Sequence, residues 1–180
     1  MTTEVWTVGH STRDLESFLE LLFASSIQLL VDIRRFPGSR RFPHFNAEAL
    51  SLELGRVGIG YHHLEALGGR RSRREPDSPN TAWRTPAFNA FADYMNTPEF
   101  EAGLTDLTTR ALTARTVIMC SEAVPWRCHR RLIADALIVR GWTVWDILTP
   151  TKVDRHQLTD FALVSGQRIT YPSDPLFPSE

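Results

Sequence analysis

One short segment of the chain holds two cysteines, a histidine, a carboxylate and three arginines. Residues 120–131 read CSEAVPWRCHRR. A thiolate is a nucleophile, a carboxylate can act as a general base, and a guanidinium binds phosphate or carboxylate through two hydrogen bonds. We predict that Cys128 and His129 lie in the first turn of a helix, where free N–H groups and the helix dipole stabilise a thiolate or a bound anion. Glu122 is then the candidate general base, and Arg127 and Arg130 are the candidate anion ligands.

A second group of polar residues lies near the N-terminus, after two short apolar runs at residues 4–8 and 27–33. Together the two groups supply the predicted site. The residues assigned to catalysis are Glu122, Cys128, Asp32 and His10. The residues assigned to substrate binding are Ser11, Arg34, Ser39, Arg40, Cys120, His129 and Arg130.

Alternating strand and helix patterns must position these residues. Strands are predicted at 4–8, 27–33, 59–64, 116–120 and 143–148, and helical patterns at 15–23, 47–55, 87–95, 99–112 and 132–137. Ser11 and Asn46 are the predicted N-caps of the first two helices. The alternation predicts a Rossmann-like three-layer α/β fold, with a mostly parallel sheet and helices on both faces. Ligands bind such sheets beyond the carboxyl ends of the strands, where both polar groups fall.

The length and composition favour a single soluble domain. The chain has 180 residues, 42% hydrophobic and 23% charged, and domains usually have roughly 100–200 residues. We predict one α/β domain at 1–150 and a C-terminal extension at 151–180, whose last nine residues are extended or disordered. No apolar run reaches the roughly 18 residues of a membrane span, and the first residues lack the order of a signal peptide. These features predict a cytoplasmic protein without a membrane partner.

Arginine dominates the positive charge of the chain. The sequence has nineteen arginines, one lysine and a net charge of −1, so it has no general attraction for polyanions. Eleven of the arginines lie in three windows, 34–41, 70–74 and 127–131. Aromatic residues in or near these windows could stack on bases; they are Phe36, Phe42, Phe45, Trp83 and Trp126. A local anion site is therefore predicted.

Familiar cofactor motifs are missing from the sequence. It contains neither G-x-G-x-x-G after the first strand nor a P-loop motif. Seven residues separate Cys120 from Cys128, whereas zinc sites usually pair cysteines two to four residues apart. The spacing therefore predicts no metal site and identifies no cofactor. A catalytic metal remains an alternative that the spacing does not support; its ligands would come from His10, Asp32, Cys120, Glu122 or His129. The Cys-x₅-Arg loop of thiol phosphatases is also missing.

Each candidate also has a purely structural interpretation. A cysteine at a strand end is commonly a small buried hydrophobe, as Cys120 would be. Asp32 could pair with an arginine, and His10 could stabilise a turn. The arginines at 70, 71, 73 and 74 could simply be solvated. The convergence of many polar residues on one sheet edge favours a site.

Several motifs occur together in a recognisable order. They are residues 7–11 (TVGHS), 31–34 (VDIR) followed by Pro37, Ser39 and Arg40, 61–69 (YHHLEALGG), and 119–130 with its Cys-x-Glu and Cys-His-Arg elements. This order resembles a bacterial and archaeal family of α/β proteins, the domain of unknown function numbered 488. The resemblance runs from about residue 4 to residue 148 and implies a shared fold and polar site, but no particular reaction. Asp146 stands where we expect a histidine in many relatives.

Three functions fit these observations. The first is an enzyme, a hydrolase or transferase, that acts on a phosphate-containing substrate such as a nucleotide or nucleic acid. The carboxylates Asp32 and Glu122 suit hydrolysis or glycosyl transfer, and Cys128 suits thiol chemistry. The second is a non-catalytic nucleic-acid-binding module, and the third is a domain that senses an anion or nucleotide.

Overall fold

Five parallel strands and one antiparallel strand form the central sheet of this computed structural model, which describes residues 3–71 and 75–173. The strands of this sheet are β1 (Glu4–Gly9), β2 (Leu29–Asp32), β3 (Gly60–His63), β4 (Thr116–Cys120), β5 (Thr143–Thr149) and β6 (Lys152–Arg155). Their spatial order is β3-β2-β4-β1-β5-β6, and only β6 runs antiparallel to its neighbour. A separate hairpin joins β7 (Leu163–Ser165) to β8 (Arg168–Thr170).

Helices cover both faces of the sheet. They are α1 (Leu15–Ala24), α2 (Ala47–Arg56), α3 (Pro86–Tyr94), α4 (Pro98–Ala111) and α5 (Arg130–Val139). One hydrophobic cluster packs α1 and α2 against the sheet, and a second packs α3, α4 and α5 against the opposite face. The predicted Rossmann-like three-layer α/β fold is therefore confirmed. Strand β4 is an example: all five of its residues are buried, which is typical of a strand covered by helices on both faces of the sheet.

Three short 3₁₀ helices lie in the connections, at Pro43–Phe45, Glu65–Leu67 and Pro125–Arg127. The last of these changes the predicted start of α5. The N–H of Cys128 donates to the carbonyl of Pro125, and His129 is the N-cap residue. The prediction that Cys128 and His129 lie in the first helical turn is thus wrong. Cys128 still touches the helix start, because its sulfur accepts the N–H of Arg130 at 3.5 Å.

Helix α1 begins at Leu15 as the pattern predicts, but its N-cap differs from the predicted one. Its N-cap is Asp14, whose carboxylate accepts the N–H of Ser17 at 2.8 Å. Ser11 instead adopts a positive φ of 54° in the turn after β1. The N-cap therefore lies three residues later than predicted, and Ser11 remains beside the sheet edge.

Several contacts attach the described part of the chain beyond residue 150 to the rest of the structure. Strand β6 pairs with β5 in the central sheet. Tyr171 is fully buried in the same cluster as α3, α4 and α5. The prediction for the last nine residues falls mostly on 174–180, which lie outside the described residues. No described helix is both long and apolar enough to span a membrane.

Candidate functional site

A cavity of about 720 Å³ lies at the carboxyl ends of β1, β2 and β4. Eight of the eleven predicted site residues line it: His10, Ser11, Arg34, Ser39, Cys120, Glu122, Cys128 and His129. The parallel strands explain this convergence, since their carboxyl ends meet at one edge of the sheet. Residues distant in the chain thus share one cavity.

The floor of the cavity holds a buried cluster of two cysteines and a histidine. The Nδ1 atom of His129 lies 3.9 Å from the sulfur of Cys120 and 3.7 Å from the sulfur of Cys128. The other ring nitrogen, Nε2, lies 3.1 Å from the carbonyl oxygen of Leu67. Because a carbonyl can only accept a hydrogen bond, Nε2 donates a proton to it. Nδ1 is therefore the ring nitrogen that faces both sulfurs.

The two thiols differ in acidity. A hydrogen bond from Cys128 lowers the pKa of Cys120 well below its usual value, against the effect of burial, and His129 and Arg130 lower it further. Burial and the neighbouring Cys120 raise the pKa of Cys128 well above its usual value. Cys120, which the sequence analysis assigned to substrate binding, is thus the more acidic of the two.

Two glycines leave room for this arrangement. A Cβ atom on Gly69 would lie 2.7 Å from Nδ1 of His129, and one on Gly9 would lie 1.7 Å from the carbonyl oxygen of Glu122. Either contact would be too short for a side chain. Glycine is therefore required at residue 9 of the GHS motif and at residue 69 of the LGG motif, because the chain after β4 approaches both residues closely.

Asp32 has a supporting position. Its carboxylate is fully buried, does not line the cavity, and accepts the backbone N–H and the guanidinium of Arg34 and the hydroxyl of Tyr61. Arg34 also donates to the carbonyl of Phe45. Asp32 therefore positions Arg34 and does not form a carboxylate pair with Glu122 in the cavity.

His10 is held in the cavity wall as a neutral ring. Its Nδ1 donates to the carbonyl of Ser11 at 2.8 Å, and its ring stacks on Phe45 with centroids 4.2 Å apart. Arg34 donates to its Nε2 at 3.4 Å. Burial lowers the pKa of His10 to about 4, and the nearby Arg34 cation contributes to this effect.

Two predicted anion ligands lie elsewhere. Arg130 is buried, and its guanidinium donates to the backbone carbonyls of Glu122 at 2.5 Å and Ala123 at 2.9 Å. It shapes the loop over the cavity and does not line the cavity wall. Arg40 is exposed and also lies outside the lining. Arg73 and Arg74 lie outside the described residues.

Other arginines surround the cavity. Arg35, Arg70 and Arg127 line it, and Arg70 and Arg127 are exposed. Within residues 3–71 and 75–173, no carboxylate forms an ion pair with Arg70 or Arg127. Arg35 is 3.9 Å from Glu65, a distance typical of a weak exposed pair. The rim therefore carries positive charge that no described carboxylate neutralises by direct pairing.

The five aromatic residues near the arginine windows divide into three groups. Phe36 and Phe42 line the cavity, whereas Phe45 and Trp83 are buried in the hydrophobic core. The prediction that Phe45 and Trp83 are stacking surfaces is thus wrong, because the hydrophobic core covers both rings. Trp126 is exposed but lies outside the cavity lining.

Helix α3 contributes cavity residues that the sequence analysis missed. Phe88 and Phe91 line the cavity, and the Phe91 ring lies 5.0 Å from the His129 ring. The apolar periodicity of α3 predicts core residues only, so it gives no indication of this role. Gly69 is a missed cavity residue with a signal, since the LGG motif contains it.

Comparison with known families decides the classification. Residues 14–137, more than half of the chain, match the family model described as "Domain of unknown function DUF488". The chain belongs to this family. No significant match was found among curated proteins or among solved structures. The matched region of this DUF488 protein includes the cysteine and histidine cluster, while His10 and Ser11 precede it.

In this DUF488 protein, Asp146 lies away from the cavity. Its carboxylate accepts the hydroxyl of Thr7 and the Nδ1–H of His156, each at 2.6 Å. The cavity lining does not include Asp146. The aspartate at this position therefore joins β5 to the segment after β6 and does not add to the site.

Proposed function

We propose that this protein is an enzyme that acts on a small phosphate-bearing substrate, of nucleotide size, in the cavity at the carboxyl ends of β1, β2 and β4. The observation that carries the proposal is the position of the buried cysteine and histidine cluster beneath a rim with two exposed arginines that have no described carboxylate partner, Arg70 and Arg127. Reactive groups at the floor and anion-binding groups at the rim are the parts that such chemistry needs.

The shape of the cavity favours a small molecule. Its volume of about 720 Å³ is within the range of roughly 300–1,000 Å³ typical of small-ligand sites. The rings of Phe36 and Phe42 line it and offer faces for a base or another flat group. A phosphate at the rim and a flat group against these rings would occupy the cavity together.

The chemistry assigned to each residue follows from its place. Arg70 and Arg127 bind the phosphate, assisted by the hydroxyls of Ser11 and Ser39. Glu122 is the only carboxylate among the described lining residues, and we assign it the role of general base in a hydrolysis or group transfer.

The nucleic-acid-binding alternative has less support. Two of its five proposed stacking residues are buried, and the net charge is −1. A purely sensing domain would need the anion-binding rim but would not need a thiol and imidazole cluster at the floor. Burying polar groups costs free energy, so their presence at the floor favours a catalytic function over a purely sensing one.

Thermal-shift measurements with nucleotides and phosphosugars test the binding half of the proposal. A bound ligand raises the stability of the native state, so at least one compound should raise the melting temperature. The variant Arg70→Ala/Arg127→Ala should lose this increase. The matched control, Arg56→Ala/Arg155→Ala, removes two exposed arginines that do not line the cavity and should keep it.

Turnover tests the catalytic half. With a bound compound identified, Glu122→Gln should keep the thermal shift and lower turnover by about 10²–10⁴-fold, the usual contribution of a general base. If the ligand raised the melting temperatures of Arg70→Ala/Arg127→Ala and of Arg56→Ala/Arg155→Ala equally, it would bind outside the proposed cavity. Binding of single-stranded nucleic acid that weakens steeply with salt, without any small-molecule shift, would favour the nucleic-acid-binding alternative.

A further inference from the structure

The cysteine and histidine cluster has the composition and dimensions of a metal site. One ligand atom from each of Cys120, Cys128 and His129 lies within 4.8 Å of the others, and all three residues are buried. The spacing in the sequence predicted no such site, because seven residues separate the cysteines. The fold brings them together, since Cys120 ends β4 and Cys128 precedes α5.

The distances within the cluster match tetrahedral zinc coordination. Bonds of about 2.3 Å to sulfur and about 2.0–2.1 Å to nitrogen, at tetrahedral angles, place sulfur and nitrogen about 3.6 Å apart. The observed separations from Nδ1 of His129 are 3.7 Å for Cys128 and 3.9 Å for Cys120. Small side-chain movements would therefore bring all three atoms into bonding distance of one ion.

The histidine is already oriented as a ligand. A metal-binding histidine usually donates its other ring N–H to a carbonyl or carboxylate, which fixes the ring and its tautomer. Nε2 of His129 makes this contact with the carbonyl of Leu67. Gly69 lies against the same ring, so the backbone at 67–69 holds the imidazole from two sides.

We propose that Cys120, Cys128 and His129 bind one zinc ion whose fourth coordination position is open to the cavity. Two thiolates and one imidazole form a soft ligand set that suits zinc and does not suit magnesium or calcium. Three protein ligands with a free position are typical of catalytic zinc sites, which bind water or a substrate oxygen there. All three residues line the cavity, so the free position faces the proposed substrate.

Binding must release protons. Each thiol loses its S–H proton to solvent when its sulfur bonds to the ion, so one zinc ion displaces up to two protons. No oxidant or reductant is involved. Zinc binding is measured without any substrate. A protein that does not bind zinc could still bind a phosphate compound in the cavity, and a protein that binds no phosphate compound could still bind zinc. The two proposals therefore fail independently.

Metal content provides the direct test. We would strip the reduced full-length protein with a chelator, reload it with zinc chloride, dialyse it and determine zinc per chain. The wild type should retain one zinc ion. Cys120→Ser, Cys128→Ser and His129→Asn should each lose it, whereas His62→Gln should retain it. His62 is a matched control because it pairs with Asp106 and does not line the cavity.

A second measurement uses only the wild type and so does not depend on whether the variants fold. Zinc should protect both cysteines from alkylation, magnesium should not, and cobalt should give thiolate-to-cobalt charge-transfer absorption. Unprotected thiols with no zinc retained would overturn the proposal. So would a Cys120–Cys128 disulfide that persists in the reductant, or a folded His129→Asn variant that retains zinc as well as the wild type.

Discussion

His156 donates its Nδ1–H to the carboxylate of Asp146 at 2.6 Å and thereby joins the segment after β6 to strand β5. The other ring nitrogen, Nε2, lies 3.6 Å from the carboxylate of Asp135 in α5. All three residues are buried. A histidine cation between two buried carboxylates thus connects the C-terminal segment to two elements of the α/β layers.

This cluster predicts a loss of stability at alkaline pH. Burial opposes protonation of His156, but Asp135 and Asp146 outweigh it and raise its pKa from 6.5 to about 9. The pKa of His156 is higher in the folded protein than in the unfolded chain. Its contribution to the free energy of unfolding is therefore complete below about pH 6.5 and is lost as the pH rises through about 9. We expect this contribution to be on the order of 3 kcal/mol. Urea unfolding from pH 6 to 10 measures it.

The variant His156→Gln isolates this contribution from other titrating groups. The difference in unfolding free energy between the wild type and His156→Gln should be largest near pH 6 and should shrink toward pH 10. A difference that stays constant across this range would show that folding does not raise the pKa of His156.

Removing the carboxylate beneath Arg34 should strongly destabilise the protein. Asp32→Asn leaves a buried guanidinium without its counter-charge, and breaking a buried ion pair from one side costs about 3–5 kcal/mol. Glu53→Gln is the control, because it breaks an exposed pair with Arg56 that is worth at most about 1 kcal/mol. Urea denaturation compares the two variants. If both variants lost the same free energy of unfolding, burial would add nothing to the ion pair between Asp32 and Arg34.

A methyl group at residue 69 should disturb the histidine of the cavity floor. Gly69→Ala places a Cβ 2.7 Å from Nδ1 of His129 and should cost about 1–3 kcal/mol, as overpacking usually does. Gly55→Ala is the control, since its Cβ meets no atom within 4 Å. It should stabilise α2 by about 0.5–1 kcal/mol.

A double-mutant cycle identifies the partner in this clash. The cost of Gly69→Ala should become much smaller in the background of His129→Ala, because the ring that the methyl group meets is gone. Chemical denaturation of the four proteins gives the coupling energy. An unchanged cost would assign the strain to the backbone of the 67–69 loop and not to His129.

Much of the fold was predictable from local patterns. The strand and helix periods of the first 150 residues predict five strands, five helices and their parallel arrangement, because burial on both faces requires apolar strands. Helix starts were less predictable. At α1 a turn with positive φ at Ser11 moves the cap to Asp14, and at α5 a 3₁₀ helix takes up the chain before Arg130.

The sequence by itself determined that a group of polar side chains meets at the carboxyl edge of the sheet, since the alternating pattern predicts parallel strands whose carboxyl ends share one edge. Only the tertiary structure decided where each one lies and what it contacts. Arg127 and Arg130 are the same residue type three positions apart, yet one is exposed at the rim and the other is buried against backbone carbonyls. The cysteine and histidine cluster likewise depends on Leu67 and Gly69, about sixty positions before His129 in the chain. Long-range contacts of this kind have no local spacing, so only the packed chain reveals them.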